Sequence, residues 1–545
     1  MSWEDYKNEI LEKGELSEDC YVLGIDLGTT NSVVSYWNKI TNKPEPIDTS
    51  NGFGKAPLPS VVQYRSDDEG DDEWVIGEEA FRSMKIYPET TIRSIKRKMG
   101  TDEKTNLGGK DYLPEEISAK ILQELIEHCY SFNPKAEVAG LVVSVPYDFD
   151  DAAKKATMKA VQIAGLSDKL ICLIEEPKAA ALAYNFKRNL EHDEKIMVFD
   201  FGGGTLDITI FHVTEKNDSL IKLQVISEGG EAHHGGDNVD EAMLKECYRL
   251  IQKKTGQTKD DIDIENQAEL ISRSREAKER LSGVKQFRMP FTFCIPPFVE
   301  QLSRESFEES IMPFIDKTSR LVLKTLREAY TGAITPDDIS RVLLEGGSSQ
   351  MPWVKDMLDG IFGEDKIYSG EKTSQNISLG ATYYAAMKMG LLNGPNVESE
   401  RGNNVIEFDV TVPHDIGIEV QNGSRKSFFT MIRRGTSYAL AKKSHVFTLS
   451  GDTEEDMTTF ELKIMERINK DDTIENCKLI GEVQMRGLPK RPSGKTRLSV
   501  TLLVEEEGGL VKGNVEDLGY GEEYEPVGFK ENFDPSRFNK TYVEG

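Results

Sequence analysis

The sequence predicts a duplicated α/β domain followed by an all-β module, and three observations carry that prediction. From Tyr21 to about Gly390, strand-forming runs alternate with amphipathic helical segments, which is the pattern of α/β folds. Further along the chain, apolar residues recur at every second position, as in "DIGIEVQNG" and "TRLSVTLLVEE", which predicts half-buried strands. Two strand–turn–strand stretches in the first part repeat the same device, which indicates an internal duplication.

Length, composition and charge narrow the class of protein. A chain of 545 residues with 38% hydrophobic residues is expected to fold into two or more domains. The net charge of −27 disfavours a nucleic-acid backbone as partner. The acidic N-terminus does not resemble a signal peptide, and no apolar run is long enough to span a membrane. Six scattered cysteines without a C-x-x-C pair are typical of a cytoplasmic protein with reduced thiols.

Changes in sequence texture predict the domain boundaries. The Gly-, Asn-, Pro- and Ser-rich stretch "LLNGPNVESERGNNV" has the composition of a linker. The end of the chain contains Pro, Gly and scattered aromatic residues, and we expect a loose tail there. The predicted division is an N-terminal extension (1–20), an α/β domain (21–390), a linker (391–410), a β module (411–525) and a C-terminal tail (526–545).

The two repeated stretches are "YVLGIDLGTTNSVVSYW" and "IMVFDFGGGTLDITIF". Each has a strand, an aspartate, a glycine- and threonine-containing turn, and a second strand. Glycines allow backbone N–H groups to approach phosphate oxygens, and successive N–H groups in a turn form an anion-binding nest. The aspartates would repel phosphate unless a cation such as Mg²⁺ lies between them. Either stretch alone could be a simple tight hairpin, but the pair, placed face to face, favours a polyphosphate site.

Two further stretches have positions suited to a nucleotide site. In "RVLLEGGSSQMPWV" a glycine turn joins a strand to a helix that begins near Pro352, which suits a nucleotide sugar or phosphate, although many αβ units have such turns. In "CLIEEPKAAALAY" a glutamate ends a strand just before an Ala-rich helix, where α/β folds place functional residues.

Taken together, "GIDLGTTNS", "EEPKAAALAY", "FDFGGGTLDITI" and "LEGGSSQMP" resemble, in order and spacing, the heat-shock protein 70 (DnaK-type) chaperones. That family lies within the superfamily of actin and sugar kinases. The resemblance covers roughly residues 21 to 525. It implies an actin-like ATPase domain with duplicated ribonuclease-H-like lobes, followed by an all-β sandwich that binds peptides. The implied function is ATP-dependent binding of extended apolar segments of unfolded proteins, with slow ATP hydrolysis.

The resemblance also implies roles for individual residues. The implied cofactors are ATP/ADP, Mg²⁺ and K⁺. Catalytic roles are expected for Lys96, Glu176, Asp200 and Thr205, and metal-binding roles for Asp26, Glu176, Asp200 and Asp207. Nucleotide contacts are expected from Gly28, Thr29, Thr30, Gly202, Gly203, Gly204, Thr205, Lys278, Ser282, Gly346, Gly347 and Ser348. Pro146 and Lys154 are expected to relay the nucleotide state, and Ile418, Gln421, Val446, Phe447 and Phe460 to line the peptide pocket.

Several departures from the family pattern leave the function partly open. Glu407 in the linker is expected to disfavour docking into an apolar groove, and Gln421 replaces an apolar residue over the peptide. No helical lid is expected after the β module. A specialised J-domain co-chaperone and a nucleotide-exchange factor are possible partners; nucleic acid and membrane are not expected. The alternative function is an ATP-sensing regulator that holds one dedicated partner, and a small-molecule kinase is a third, less favoured reading.

Overall fold

A computed structural model describes most of the chain, which divides into two compact units. The first unit contains residues 1–149 and 156–407, and the second contains residues 150–155 and 408–545. The described residues are 20–49, 57–66, 72–147, 149–187, 190–216, 220–231, 233–330, 332–370, 373–393, 405–409, 411–412, 414–422, 425–451, 458–468, 472–486, 488–505, 511–526, 530–533 and 541–544.

The first unit contains two large sheets that repeat one topology. In each sheet a central strand has two parallel strands on one side and an antiparallel meander on the other. The first sheet has the order Leu170–Glu175, Glu137–Val145, Cys20–Asp26, Asn31–Asn38, Lys43–Pro46, with Leu58–Pro59 paired beside Asn31–Asn38. The second has the order Ile367–Ser369, Arg341–Glu345, Lys195–Phe201, Leu206–Lys216, Leu220–Glu231, Val405–Asp409. This repetition confirms the internal duplication predicted from the paired motifs.

Helices and small sheets complete the first unit. Among the described residues, the α-helices are Glu78–Ser83, Pro114–Phe132, Asp151–Ile163, Glu176–Lys187, Gly236–Thr255, Ile264–Gly283, Arg304–Ser310, Met312–Arg327, Pro352–Phe362 and Asn376–Lys388. The small sheets pair Asp72–Ile76 and Thr91–Arg93 with Val61–Ser66, Thr105–Leu107 with Lys110–Tyr112, and Gln286–Phe291 with Phe298–Ser303. Large apolar side chains such as Phe199 and Phe211 are completely buried in this unit.

Close packing holds the helices against the first sheet. A Cβ on Gly380 would lie 1.8 Å from the carbonyl oxygen of Ala179, so the helices Asn376–Lys388 and Glu176–Lys187 touch backbone to backbone. Glu176 begins the second of these helices. The contact therefore helps to fix the position of a predicted site residue.

The segment Val405–Asp409 forms the edge strand of the second sheet beside Leu220–Glu231. Alternation along the strand buries Ile406 and leaves Glu407 exposed. The expected conflict between the acidic side chain and an apolar groove therefore does not arise in this arrangement, because the carboxylate lies on the solvent side. Most of the predicted linker (391–410) lies outside the described residues.

The second unit contains two antiparallel-rich sheets that share an apolar core. One has the order Arg425–Ile432, Asp415–Asn422, Thr459–Arg467, Lys478–Arg486, Thr541–Glu544, and the other Lys442–Leu449, Thr496–Val504, Val511–Asp517, Lys530–Phe533. Side chains from both sheets, including Ile464 and Val500, lie in one buried cluster. The prediction of a loose tail is wrong for 530–533 and 541–544, because open sheet edges supplied hydrogen-bonding partners that the local composition did not reveal.

A buried ion pair joins two segments of the second unit. Arg491 donates from Nη1 and Nη2 to the two carboxylate oxygens of Asp517, at 2.7 and 2.8 Å, and also to the carbonyl oxygen of Glu525. Both side chains of the pair are almost completely buried. Removal of the guanidinium would leave the buried carboxylate of Asp517 without its charge partner. An uncompensated buried charge lowers the stability of the fold strongly.

Arg491→Ala is therefore expected to lower the free energy of unfolding of the second unit by about 3–5 kcal/mol. Chemical denaturation followed by far-UV circular dichroism measures this loss. Lys512→Ala serves as the control, because Lys512 and Glu505 form a partly exposed pair whose loss should cost about 0–1 kcal/mol. Equal losses in the two variants would contradict the prediction.

Candidate functional site

The two glycine- and threonine-containing turns meet in the first unit. Each turn connects two antiparallel strands, as predicted. A Cβ placed on Gly203 would lie 1.7 Å from Oγ1 of Thr30, and one on Gly204 would lie 2.6 Å from Oγ1 of Thr29. The two turns are thus in direct contact, and the glycines are required because a side chain at Gly203 would overlap the facing threonine.

The start of the helix Gly236–Thr255 orients the backbone of the second turn through two hydrogen bonds. The carbonyl oxygen of Gly202 accepts from the N–H of Gly236 at 3.0 Å, and that of Gly203 accepts from the N–H of Asp237 at 2.8 Å. In a trans peptide the carbonyl and the next N–H point in opposite directions. The N–H groups of Gly203 and Gly204 therefore point away from the helix, and the arrangement has the character of an anion-binding nest.

A buried polar atom adds to the evidence for an anion at this point. Oγ1 of Thr30 is buried and has no hydrogen-bond partner among the described residues. Such a group is costly to bury unless something else accepts its hydrogen bond. A phosphate oxygen beside the two turns would satisfy it. The loop of the first turn is itself held by the Ser60 hydroxyl, which donates to the carbonyl oxygen of Gly28 at 2.7 Å.

A buried charge cluster lies next to the turns. Lys96 Nζ donates to Oε1 of Glu176 at 2.5 Å, and both side chains are more than nine-tenths buried. Asp26 and Asp200 are also buried and interact electrostatically with this pair. Three carboxylates therefore share one described ammonium group, which leaves an excess of negative charge in a site that water reaches poorly.

The pKa values of the cluster reflect this imbalance. Burial, with the Glu176 carboxylate nearby, raises the pKa of Asp26 from 3.8 to about 7. Burial, together with Glu176 and Asp26, raises the pKa of Asp200 well above its usual range. Burial alone would lower the pKa of Lys96, but the charges of Glu176 and Asp26 hold it above its ordinary value. A bound cation would relieve the repulsion among the carboxylates.

The same cluster predicts a pH dependence of stability in the absence of metal and nucleotide. Because the folded-state pKa of Asp26 exceeds its unfolded value, stability from this group falls as pH rises from 3.8 to about 7. The melting temperature of Asp26→Asn, relative to wild type, is therefore expected to rise between about pH 5.5 and about pH 8 in EDTA. Asp365→Asn, at an exposed carboxylate, serves as control. A difference that falls with pH would contradict the assigned sign.

Other predicted residues lie around the cluster. Thr205 Oγ1 donates to Oδ2 of Asp207 at 2.8 Å, and Asp207 faces Asp200 across the hairpin. A Cβ on Gly346 would lie 2.7 Å from Oδ1 of Asp200, which places the third glycine turn beside the carboxylates. Among the described residues, no three Asp, Glu, His or Cys side chains are close enough to ligate one metal ion.

A cavity of about 250 Å³ opens beside the turns. Six predicted residues line it, which are Thr30, Gly203, Lys278, Ser282, Gly347 and Ser348. Lys278 Nζ forms an ion pair with Oδ1 of Asp240 at 2.6 Å, so the lysine is held in place without a ligand. The cavity is polar on several sides and is of a size that suits part of a nucleotide.

Sequence reasoning missed several residues of this cavity. Asn31, Gly236, Asp237, Asp240, Arg275, Glu279, Gln350 and Met351 also line it. Asp237 lies in the first turn of the helix Gly236–Thr255, directly after two glycines, and Asp240 lies three residues further along the same helix. The "HHGGDNVD" stretch, with glycines at the start of a helix, was the available signal, but nothing local indicates that this helix reaches the cleft.

The two residues expected to relay the nucleotide state are both buried. Pro146 follows the strand Glu137–Val145, and Lys154 lies on the helix Asp151–Ile163. Their burial places them in packed positions rather than on an exposed surface. No described contact by itself assigns them a signalling role.

The predicted peptide-pocket residues differ in exposure. Ile418 is buried in the core, Phe447 and Phe460 are partly buried against it, and Val446 and Gln421 are exposed. Phe447 also joins a ring cluster with Phe429 (centroids 5.2 Å apart) and His445 (4.7 Å). The cluster forms a partly exposed aromatic surface on the second unit.

The fold and site define a class of protein before any comparison is made. Two repeated sheets bring two glycine- and threonine-containing turns together beside a buried lysine and carboxylates. This arrangement defines a nucleotide-phosphate-binding protein that carries a separate β-rich unit.

Comparison with known proteins identifies the family. The family model described as Hsp70 protein matches residues 22–106 and 103–525. The chain is 33% identical over 519 residues to the chaperone protein DnaK of Thermosipho africanus (strain TCF52B), covering 93% of this chain and 79% of that protein. It is 32% identical over 519 residues to the chaperone protein DnaK of Thermotoga petrophila, covering 93% of this chain and 80% of that protein.

The chain belongs to the Hsp70 family. It is an ATP-dependent chaperone of the Hsp70 type and an ATPase. Membership implies an actin-like ATPase domain and a β-sandwich substrate domain, with which the mixed α/β sheets and the β-rich unit agree. Proteins of this family bind ATP or ADP with Mg²⁺, and they bind unfolded polypeptides and co-chaperones. No helix among the described residues is long and apolar enough to cross a membrane.

Proposed function

We propose that ATP binds where the two turns meet and that its hydrolysis controls a peptide site on the β-rich unit. The observation that carries the proposal is the contact of Gly203 and Gly204 with Thr30 and Thr29, beside the buried Lys96–Glu176 pair. The N–H groups and hydroxyls supply donors for phosphate oxygens, and the lysine supplies positive charge. Phosphoryl transfer depends mainly on such positioning and charge neutralisation.

The residues around the carboxylate cluster would hold Mg²⁺ and K⁺ largely through water. We assign this role to Asp26, Glu176, Asp200 and Asp207. Mg²⁺ supplies charge neutralisation at the phosphates. The raised pKa values of Asp26 and Asp200 support the assignment, because a cation would offset the repulsion that raises them.

Within this site, Lys96 is the group that neutralises charge at the γ-phosphate, and Glu176 orients the attacking water. Their ion pair holds both side chains ready in the absence of nucleotide. Thr205 is oriented by its hydrogen bond to Asp207. The phosphates are held by Gly28, Thr29, Thr30 and the range Gly202–Thr205, and the adenosine by Lys278, Ser282 and the range Gly346–Ser348.

The β-rich unit is proposed to bind extended apolar segments of unfolded proteins. Val446, Phe447 and Phe460 offer apolar surface that is not fully buried in the core. Ile418 belongs to the core cluster against which Phe447 and Phe460 pack, and Gln421 is exposed on the strand Asp415–Asn422. An extended peptide would add main-chain hydrogen bonds to these side-chain contacts.

The proposal extends to domain roles and location. The α/β domain (21–390) consists of duplicated ribonuclease-H-like lobes, and the β module (411–525) is a peptide-binding sandwich in a cytoplasmic protein. The strand Val405–Asp409 serves as part of the linker between the two domains. Pro146 and Lys154 relay the nucleotide state. A J-domain protein and a nucleotide-exchange factor would be the co-chaperones.

Phe447→Ala is expected to weaken peptide binding by about tenfold or more, because a large apolar contact with the peptide is lost. Basal ATP hydrolysis is expected to stay unchanged, because Phe447 is not among the residues of the proposed nucleotide site. Fluorescence anisotropy with labelled extended apolar peptides, in ATP and in ADP, measures the change. Leu440→Ala is the control, since Leu440 is exposed in the same unit but is not among the pocket residues. Unchanged affinity in Phe447→Ala would contradict the peptide-site assignment.

A second function is an ATP-sensing regulator whose β-rich unit holds one dedicated partner. The exposed amide side chain of Gln421 favours it, because an apolar clamp over many peptides would not need a polar residue there. A panel of unrelated unfolded peptides separates the two functions. ATP-sensitive binding of many peptides supports the general chaperone, and binding of none supports the regulator.

A further inference from the structure

Arg97 connects the segment that carries Lys96 to the glycine-rich turn. It lies in the short 3₁₀ helix Ile95–Lys98, and its Nη2 donates to the carbonyl oxygens of Gly203 at 3.2 Å and Gly204 at 2.9 Å. Its side chain is mostly buried. One guanidinium nitrogen thus holds two successive peptide groups of the turn.

A second attachment strengthens this connection. Ser94, directly before the helix, donates from Oγ to Oδ2 of Asp237 at 2.7 Å, and Arg97 forms an ion pair with the same carboxylate at 3.6 Å. Ser94 has a φ of 55°, a left-handed conformation that is uncommon for a residue with a side chain. Such a backbone persists where the surrounding contacts require it. The contacts with Asp237, and the hydrogen bond from the N–H of Arg97 to the carbonyl oxygen of Ser94 at 3.1 Å, are among the interactions that hold this segment.

We propose that Arg97 is a positioning residue that orients the glycine-rich turn for phosphate binding, a role that rests on the proposed ATP site. Because carbonyl and following N–H point in opposite directions in a trans peptide, fixing the carbonyls of Gly203 and Gly204 also fixes the N–H groups of Gly204 and Thr205. These N–H groups point away from Arg97. Arg97 therefore acts through the backbone rather than by touching the nucleotide.

The arrangement completes the orientation of the turn. The helix beginning at Gly236 holds the carbonyls of Gly202 and Gly203, and Arg97 extends the same control to Gly204. Three successive carbonyls thus face one side, so three successive N–H groups face the other. Pre-orienting donors removes the cost of reorganising them when charge develops in the transition state.

Arginine is suited to this role in a way that lysine is not. A planar guanidinium can share two carbonyl acceptors in a fixed geometry, whereas an ammonium is a point charge on a flexible stem. Arg97→Lys is therefore expected to retain the charge but lose much of the orientation. This variant separates an effect of geometry from an effect of charge alone.

The test compares Arg97→Ala and Arg97→Lys with Lys98→Ala, which removes a positive charge from the partly exposed side of the same helix. In Arg97→Ala, turnover at saturating ATP is expected to fall by about 10- to 100-fold. Its ADP affinity is expected to fall by about tenfold, because N–H groups of the turn that are no longer held in place would form weaker hydrogen bonds with the charged phosphate oxygens. Adenosine affinity should stay unchanged, and Arg97→Lys should give intermediate values.

Titration calorimetry measures the dissociation constants of ADP and of adenosine, and the test compares how much each one changes in Arg97→Ala. Equal weakening of both ligands would mean that Arg97 only supports the fold, and would overturn the proposal, as would wild-type kinetics in Arg97→Ala. Circular dichroism and the melting temperature establish that each variant is folded. Lys96→Ala distinguishes a failure of the proposed ATP site from a failure of the role proposed for Arg97. If Lys96→Ala hydrolyses ATP normally, the proposed ATP site is wrong. If Lys96→Ala is inactive while Arg97→Ala has normal activity, only the role proposed for Arg97 is wrong.

Discussion

Replacing Lys96 by alanine is expected to lower ATP turnover at saturating ATP by about 10²- to 10³-fold while ATP still binds. The lysine is the described ammonium group within the buried carboxylate cluster, and it is pre-positioned by Glu176 at 2.5 Å. The positive charge of Lys96 is expected to stabilise the transition state, in which negative charge is redistributed around the γ-phosphate. Binding of the nucleoside and the other phosphates depends on separate groups, so affinity should change less than rate.

Single-turnover hydrolysis with labelled ATP, together with equilibrium binding of ATP, measures both quantities. Lys98→Ala is the matched control, because it removes the same side chain from the same short helix where it is partly exposed and pairs with Glu103. Loss of Lys96 also leaves Glu176 without its charge partner, so the melting temperature is expected to change. Normal turnover in a folded Lys96→Ala protein would refute the assignment of the site.

Gly203→Ala is expected to lower both ATP affinity and turnover by about 100-fold, because a displacement near 1 Å at the phosphates has consequences of that size. The new Cβ would lie 1.7 Å from Oγ1 of Thr30, which no real structure tolerates. The two turns must therefore separate, and the donors that converge on the phosphates separate with them. The loss should be seen with ATP and ADP alike.

The same substitution at Gly360 provides the control, since a Cβ there meets no atom within 4 Å and the residue lies in the helix Pro352–Phe362. Gly360→Ala should be neutral or slightly stabilising, because alanine is the better helix former. Nucleotide affinities are measured by calorimetry and rates by phosphate release. Wild-type affinity in Gly203→Ala would show that the turns do not need to touch when the nucleotide binds.

Local sequence was enough to predict the two hairpins and their apposition. The Asp26 and Asp200 turns share spacing and composition, and each lies between two strand-forming runs. Glycine between two strand-forming runs indicates a place where the backbone approaches a neighbouring group closely, so this feature can be predicted from the sequence pattern. The sequence did not predict that the Glu407 side chain faces solvent. The face that a strand residue occupies depends on the register of its strand with the neighbouring strand, which the local sequence does not specify.

The partners within the site were not predictable in the same way. Lys96 and Glu176 are 80 residues apart, and Arg97 and Gly204 are 107 apart. Nothing in the basic run "IKRKMG" distinguishes the lysine that is buried from the one that is exposed. Resemblance to the family singled out Lys96, but it did not indicate Arg97, Ser94 or Asp237.

The sequence by itself determined the class of fold, the internal duplication, the two glycine- and threonine-containing turns and the change to a β-rich unit. These features depend on the periodicity of apolar residues and on glycine, both of which act over a few neighbouring positions. Only the tertiary structure decided which charges meet, which carbonyls Arg97 holds, and which side of its strand Glu407 occupies. Those contacts join residues far apart in the chain, and their energies depend on burial and distance that exist only once the sheets and helices have packed.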